Sequence, residues 1–420
     1  MKKEKGGRIL AGAMALGILF SGAACGKTYK PEPLSDKTRN LAGTLAADAG
    51  KRMGKSADFT AANLGFSTEF FKRSFQERGN TLVSPLSAAA VLAMIQNGAR
   101  GDTLSEMETV LGAPREAMNK NLSAYMQYLD GLDTEKVSLS LADSIWIRDN
   151  VAPHVNRDFL QTNKDYYDAE VYASPFDETT LSDVNLWTKN KTKGMIDKVL
   201  EEINPMDFMY LINALYFEGE WEEKYERDKV RDGSFFNADG SVSTVQMMSS
   251  EENVYLSDEN TTGFIKPYKG GKLAFAALMP DEDTPIAEYV NSLNAEKWRG
   301  LFEEGKMGTS VSCRMPAFSY EYEVEASDIL KQMGMPTAFS AQTADFSDLM
   351  PDSYLGFILQ KTRIEVDKSG TKAAAVTIGG MRCESAGLFV SLERPFVYAI
   401  VDTENNYPLF LGAVTRLPAK

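Results

Sequence analysis

The segment Asp367–Pro395, close to the end of the chain, constrains the fold more than any other stretch. It follows a strand-like run, Ile364–Val366, and then becomes rich in small residues, with Gly370, the alanines at 373–375 and the pair Gly379–Gly380. Compact domains rarely spend about fifteen residues on an unstructured connection. Such a segment is therefore either disordered or functional.

The same segment has the side-chain alternation of a strand. In an extended chain every second side chain faces the same way. Starting from Thr371, one face carries residues that are nearly all small enough to pack beneath neighbouring strands: Thr371, Ala373, Ala375, Thr377, Gly379 and Met381. The opposite face starts with Lys372. This pattern predicts a loop that can become a central strand.

Three short motifs in this region resemble the serpin family of protease inhibitors. Gly370–Ala375 resembles the hinge of inhibitory serpins, with Lys372 where that motif has Glu. Glu393–Phe396 resembles the start of the strand that follows the serpin reactive loop, and Pro408–Gly412 resembles the C-terminal signature. The resemblance implies a hinge made of these residues: Gly370, Thr371, Ala373, Ala374 and Ala375.

The spacing of these motifs places the bond that a protease would attack. Pro395 lies 25 residues after Gly370, which is the spacing expected of the family. Counting from either end puts the reactive bond between Glu384 and Ser385. Arg382 is the alternative, and it would suit a trypsin-like enzyme.

Further motifs match the region beneath the main sheet of a serpin. Asn80–Ser87 resembles the family's Asn-x-x-x-Ser-Pro-x-Ser, and Trp221 follows a strand that contains Asn213. The resemblance implies that Trp221 lies in the breach, at the top of the sheet, where insertion of the loop begins. It also implies a cluster called the shutter, which holds the sheet closed, made of these residues: Ser84, Ser87, Asn213 and Gln360.

Two positions depart from the family pattern in this region. Gln360 stands where the family usually has His, and Asp143 replaces an Asn in the strand-like run Leu139–Ile147. A Gln side chain both donates and accepts hydrogen bonds, so it can still contact Asn213. We expect the pH sensitivity that a histidine would bring to be absent.

The matches extend from about Phe59 to Pro418 and imply an α+β serpin fold. That fold has about nine helices around three β-sheets and an exposed reactive-centre loop at about 368–390. We predict a signal peptide at 1–24, a lipidated N-terminus and tether at 25–56, helical around Leu41–Ala47, and a serpin domain at 57–420.

The N-terminus predicts export. Four basic residues before position 9 precede the apolar run Ile9–Phe20, which is too short to span a bilayer and is typical of a signal peptide. The sequence Gly22–Cys25 resembles a bacterial lipoprotein cleavage site, with Gly22 where Leu is usual, so we predict lipidation of Cys25. The protein would then be anchored to a membrane, facing the periplasm or the cell surface. The alternative is cleavage after Ala24 and a soluble secreted protein.

Composition excludes several classes of function. The net charge of −14 repels nucleic acid and heparin-like polyanions, so neither is expected as a partner. His154 is the sole histidine and there are three cysteines, too few for a zinc site, and no Gly-x-Ser-x-Gly motif occurs. We expect no enzyme active site, no metal and no cofactor, with Cys313 and Cys383 as free thiols.

The resemblance implies a monomeric inhibitor that acts as a suicide substrate. A serine or cysteine protease, one that cuts after acidic residues if Glu384 is the bait, would cleave the loop and be trapped as the loop enters the main sheet. The alternative is a non-inhibitory serpin that acts as a binding or scaffold protein. The small residues at Thr371, Ala373 and Ala375 favour inhibition. We further expect the side chain at position 371 to lie in water before cleavage, so that Thr371→Arg would cost the intact protein little stability.

Overall fold

The computed structural model describes residues 29–204, 207–356, 358–371 and 387–418. Several predicted site residues lie outside these ranges: Cys25, Lys372, Ala373, Ala374, Ala375, Arg382, Cys383, Glu384 and Ser385.

The helices are built around one that is buried on every side. The Ser84 side chain caps its start by accepting a hydrogen bond from the backbone N–H of Ser87 (3.2 Å), Pro85 occupies the first turn, and all twelve helical residues are buried. The nine α-helices of the described ranges are α1 (Ser56–Ser74), α2 (Pro85–Gln96), α3 (Gly101–Leu111), α4 (Arg115–Asp130), α5 (Arg157–Tyr167), α6 (Glu178–Lys191), α7 (Ile286–Ser292), α8 (Ala295–Glu303) and α9 (Ser327–Met333).

The strands form two hydrogen-bonded sheets. They are β1 (Arg39–Asn40), β2 (Thr81–Val83), β3 (Val137–Arg148), β4 (Glu170–Ser174), β5 (Met209–Glu220), β6 (Val230–Phe236), β7 (Val242–Asp258), β8 (Thr261–Pro267), β9 (Leu273–Pro280), β10 (Lys306–Pro316), β11 (Phe318–Glu325), β12 (Ile358–Val366), β13 (Gly370–Thr371), β14 (Leu388–Ser391), β15 (Phe396–Asp402) and β16 (Tyr407–Val414). The main sheet has the order β1-β4-β3-β5-β13-β12-β11.

The second sheet has the order β14-β10-β7-β8-β9-β15-β16-β2, with β6 paired to β7 beside this path. The α+β class and the helix number agree with the predicted fold. Two of the three expected sheets are joined because the 17-residue strand β7 pairs with β6 and β10 along one part and with β8 near its end.

The core lies on both faces of α2. This helix packs against β3 and β5 of the main sheet and against β16 of the second sheet. On β12 the side chains of Ile358, Gln360, Thr362 and Ile364 alternate with less buried ones and are themselves buried. The same face of the main sheet therefore carries apolar and polar groups toward α2.

The described part of the predicted tether lies against the folded body. Its strand β1 pairs antiparallel with β4, at the edge of the main sheet. Asp183 on α6 accepts hydrogen bonds from the Ser35 backbone N–H (3.0 Å) and the Thr38 hydroxyl (2.6 Å). The helix predicted around 41–47 was wrong, because residues 41–47 form bends and irregular chain after β1, and a short 3-10 turn, Ala49–Lys51, follows them. Among the described residues, no helix combines the length and apolarity needed to cross a membrane.

Candidate functional site

The main sheet is only partly closed between β5 and β12. Near the start of both strands they pair in parallel, from Ile358 opposite Leu211 to Lys361 opposite Ala214. Farther along, β13 lies between them, with Gly370 opposite Glu220 of β5 and Thr371 opposite both Gly219 of β5 and Val366 of β12. The chain that leaves β12 thus returns at once into the gap between the two strands.

A tight turn produces this return. The Asp367 carboxylate accepts hydrogen bonds from the backbone N–H groups of Ser369 (2.6 Å) and Gly370 (3.2 Å). A Cβ atom on Gly370 would lie 2.1 Å from the Gly219 carbonyl oxygen. Only glycine allows the chain to approach β5 this closely.

The predicted exposure of Thr371 was wrong. Its side chain is 2% exposed, and its hydroxyl lies 2.6 Å from the Tyr268 hydroxyl. The first inward-facing hinge residue is therefore already beneath the sheet in the intact chain.

Trp221 lies at the point where β13 enters. Its backbone N–H donates to the Ser369 carbonyl (3.0 Å), and its indole N–H donates to the Asp367 carbonyl (2.9 Å). The indole stacks on Tyr268, with ring centroids 4.6 Å apart. Trp221 therefore holds the turn, while Tyr268 holds the hinge threonine.

A second group of contacts closes the sheet at the level of α2. The Gln360 side chain accepts from the Ser84 backbone N–H (2.9 Å) and donates to the Ser84 carbonyl (2.9 Å). The Ser84 hydroxyl in turn donates to the Leu409 carbonyl on β16 (2.8 Å). These bonds tie β12 to the start of α2 and to the second sheet.

Asn213 provides the matching tie on β5. Its side-chain amide donates to the Ser87 carbonyl (3.0 Å), to the Ser87 hydroxyl and to the Asp143 carboxylate (2.5 Å). Its carbonyl oxygen accepts from Gln360 (3.3 Å), so the bond expected between these two residues is present. The four residues predicted as a shutter are thus in one network, and Asp143 joins it from β3.

Asp143 changes the expectation about pH. Burial raises the pKa of Asp143 to about 7, and the hydrogen bond from Asn213 opposes that rise. We expected the pH sensitivity of a histidine to be absent because Gln360 replaces it, and that expectation did not consider Asp143. The structure places one there, on a different strand.

The groups that could support other chemistry are dispersed in the described residues. His154 lies on an exposed 3-10 turn, and Cys313 is a buried free thiol, as predicted, whose pKa is raised by burial. Within the described ranges no three His, Cys, Asp or Glu side chains come together as metal ligands.

The sequence did not identify Tyr268 or Asp143 as members of this site. Tyr268 is supplied by the chain just after β8, far from the hinge in sequence, so no local pattern links it to Thr371. Asp143 did carry a signal, since it is a departure from the family's Asn, but only the structure shows that it faces Asn213.

The architecture agrees with comparisons to known proteins. The model of the family described as "Serpin (serine protease inhibitor)" matches residues 61–417. The chain belongs to the serpin family. Serpins are protease inhibitors and not enzymes.

Individual relatives extend this result. Human Serpin B8 is 28% identical over 375 residues, covering 84% of this chain and 98% of its own. The crystal structure of the thermophilic serpin tengpin in its native state has a TM-score of 0.86 at 39% identity, covering 91% of this chain and all of that one. Tengpin in its latent state has a TM-score of 0.76 at 40% identity, covering 86% and 98%. Thyroxine-binding globulin, in complex with thyroxine, shares the fold with a TM-score of 0.76 at 22% identity, covering 86% and 100%.

Proposed function

We propose that this serpin inhibits a protease by the suicide-substrate route. The protease attacks the carbonyl of residue 384 in the reactive loop and forms an acyl-enzyme. The cut loop then enters the main sheet as a new strand and carries the protease with it. The observation that supports this proposal is β13, a two-residue strand already inserted between β5 and β12 and continuous with the loop.

Insertion must separate one defined set of contacts. The new strand would extend β13 into the four parallel residue pairs from Ile358–Leu211 to Lys361–Ala214. It would also break the Gln360–Asn213 bond, since the strand lies between these residues. The described residues resemble native tengpin more than latent tengpin by TM-score. This supports a main sheet into which the loop has not yet been inserted beyond β13.

The target is inferred from the bait residue. With Glu384 at the reactive bond, the preferred enzymes are serine or cysteine proteases that cut after acidic side chains. Cleavage there gives a C-terminal fragment of 36 residues, Ser385 to Lys420, which carries β14, β15 and β16 and separates from the rest of the chain on denaturation. Cleavage after Arg382 would give a fragment two residues longer.

Incubation with a glutamyl endopeptidase and, separately, with trypsin tests the proposal. We expect an SDS-stable complex with the glutamyl enzyme and, by mass spectrometry, the fragment starting at Ser385. Glu384→Ala should abolish this complex, whereas the matched variant Arg382→Ala should retain it. A covalent complex with trypsin alone, ending at Arg382, would overturn the bait assignment. Cleavage by every protease without any stable complex would favour the alternative, a non-inhibitory serpin that acts as a binding or scaffold protein.

We also propose that lipid on Cys25 anchors the mature protein to a membrane. The supporting features are the basic start, the apolar run Ile9–Phe20 and the small residues before the cysteine. Cys25→Ala should move the protein from the membrane fraction to the soluble periplasmic fraction, as measured by cell fractionation. An unchanged distribution would contradict the anchor and favour simple secretion.

A further inference from the structure

Asp143, Asn213 and Gln360 form a row across three strands of the main sheet. The register places Asp143 of β3 opposite Asn213 of β5, and Asn213 opposite Gln360 of β12. Among the described residues, Asn213 is the one whose side chain donates a hydrogen bond to the Asp143 carboxylate.

The hydrogen bonds of Gln360 and Asn213 to α2 cannot all persist when the sheet opens. Gln360 is bound to Ser84 and Asn213 to Ser87, and both serines belong to the same turn of α2. A strand inserted between β5 and β12 would separate them by a further strand spacing of about 4.8 Å. A rigid helix cannot follow both strands, so one pair of bonds must break.

β3 is paired with β5 along nearly its whole length. Their antiparallel pairing is continuous from Val137 opposite Gly219 to Ile147 opposite Met209. If this half of the sheet moves, Asp143 keeps its bond to Asn213 but changes its position relative to the helices that pack over it and leave it half-buried.

Those helices enclose Asp143 in a cavity of about 280 Å3 formed between α4, α5 and the sheet. The charged and titratable groups that line it are Arg52 from the N-terminal segment, Asp130 on α4, Tyr166, Tyr167 and Asp168 at the end of α5, Glu170 on β4 and Lys191 on α6. Most of the charged groups form ion pairs or hydrogen bonds with residues other than Asp143.

Arg52, Glu170 and Asp168 each have a partner other than Asp143. Arg52 donates to the carbonyl oxygens of Asp165 (2.6 Å) and Lys164 (3.3 Å). Glu170 pairs with Lys191 (3.0 Å), and Asp168 pairs with Lys164. Asp143 therefore has no ion-pair partner among these groups.

We propose that Asp143 makes the opening of the main sheet sensitive to pH, so that the closed form persists in acid and opens more readily at and above neutral pH. The closed sheet favours the uncharged carboxyl, whose pKa is about 7. Movement of β3 away from α4 and α5 hydrates the carboxyl and lowers its pKa toward the ordinary value near 3.8. Opening then releases a proton and becomes more favourable as pH rises, by at most about tenfold per unit, until about pH 7.

The conversion of the intact protein to the inserted form tests this proposal. It is the movement that the proposed function requires, but it can be measured without a target protease, so a failure of inhibition would not affect the result. The rate is followed at one temperature by the loss of loop cleavage with an added non-specific protease. We expect the wild-type rate to increase about threefold to tenfold between about pH 5.5 and pH 7.5.

Two single substitutions assign the effect. Asp143→Asn, which preserves shape and restores the residue type usual in the family, should give a rate that is flat across this range. Asp130→Asn, on the exposed rim of the same cavity, should keep the wild-type dependence. A flat wild-type profile, an unchanged slope in Asp143→Asn, or a flat profile in Asp130→Asn would each overturn the proposal.

A measurement on the wild-type protein covers the case in which Asp143→Asn does not fold. Conversion in weakly buffered solution at about pH 6, followed with an indicator dye, should release a proton. The absence of proton release would overturn the proposal by itself.

Discussion

At the scale of single residues, two buried glutamines differ in their hydrogen bonding, and this difference predicts opposite effects of substitution on stability. Gln96, at the end of α2, is fully buried, and neither atom of its side-chain amide has a hydrogen-bond partner among the described residues. A buried polar group without a partner costs about 1–3 kcal/mol. Gln96→Met, which keeps the size of the side chain, should therefore raise the free energy of unfolding of the intact protein by about 1–3 kcal/mol, as measured by urea denaturation.

Gln360→Met is the matched control. Both atoms of the Gln360 amide are bonded to Ser84. Removing them leaves the Ser84 N–H and the Asn213 side-chain oxygen without these partners, whereas the Ser84 carbonyl still accepts from the Ala88 N–H (3.1 Å). The same substitution should therefore lower the free energy of unfolding by about 1–3 kcal/mol for each group left unsatisfied. A loss of stability in Gln96→Met would show that its amide is satisfied in solution.

At the scale of an element, the inserted hinge β13 changes what Thr371→Arg is expected to do. Because Thr371 is buried against Tyr268, the guanidinium must either lie unpaired beneath the sheet, at a cost of several kcal/mol, or expel β13. Expulsion loses the pairings with Gly219, Glu220 and Val366. We therefore expect the intact variant to melt at a lower temperature than wild type and to behave as a substrate rather than an inhibitor.

The readouts are the ratio of cleaved inhibitor to covalent complex and the melting temperature of the intact protein. Thr371→Ser keeps the hydroxyl beside Tyr268 and should behave like wild type, as should Lys372→Arg, which the alternation places on the opposite face. If Thr371→Arg traps its protease at near one-to-one stoichiometry, insertion of the hinge is not the basis of inhibition.

The hinge also shows how far the sequence could define this site. Alternation from Thr371 predicted which side chains face inward, and the family motif predicted where insertion would begin. Neither could predict how deeply the hinge is already inserted. That depth depends on the Asp367 turn and on Tyr268, a residue distant in sequence whose hydroxyl partners the threonine.

The pairing of the N-terminal segment with the edge of the main sheet could not be predicted from local sequence. The N-terminal segment is polar and contains Pro31 and Pro33, features that indicated a tether. Its described part contacts Asp183 on α6 and pairs with Tyr172–Ala173 on β4. These residues lie more than a hundred positions farther along the chain. Local composition carries no information about such pairings.

At the scale of the whole molecule, the α+β class and the order of elements could be predicted because many short motifs occur in the family order. The joining of two expected sheets could not, since it depends on which strands pair with the long strand β7. The shutter residues were likewise predicted as a set, but the participation of Asp143 required the register between β3 and β5.

The intact fold is expected to be less stable than the cleaved form with its loop inserted. Cleavage after Glu384 frees the 13 residues from 372 to 384 to extend β13 between β5 and β12. At about 0.5–1.5 kcal/mol net for each new hydrogen bond, the added strand contributes on the order of 10 kcal/mol. This is comparable with the roughly 5–15 kcal/mol that stabilises a whole domain. The cleaved wild-type protein should therefore melt at a much higher temperature than the intact protein by circular dichroism, whereas cleaved Thr371→Arg should not. Equal melting temperatures for intact and cleaved wild type would mean that the loop does not enter the sheet.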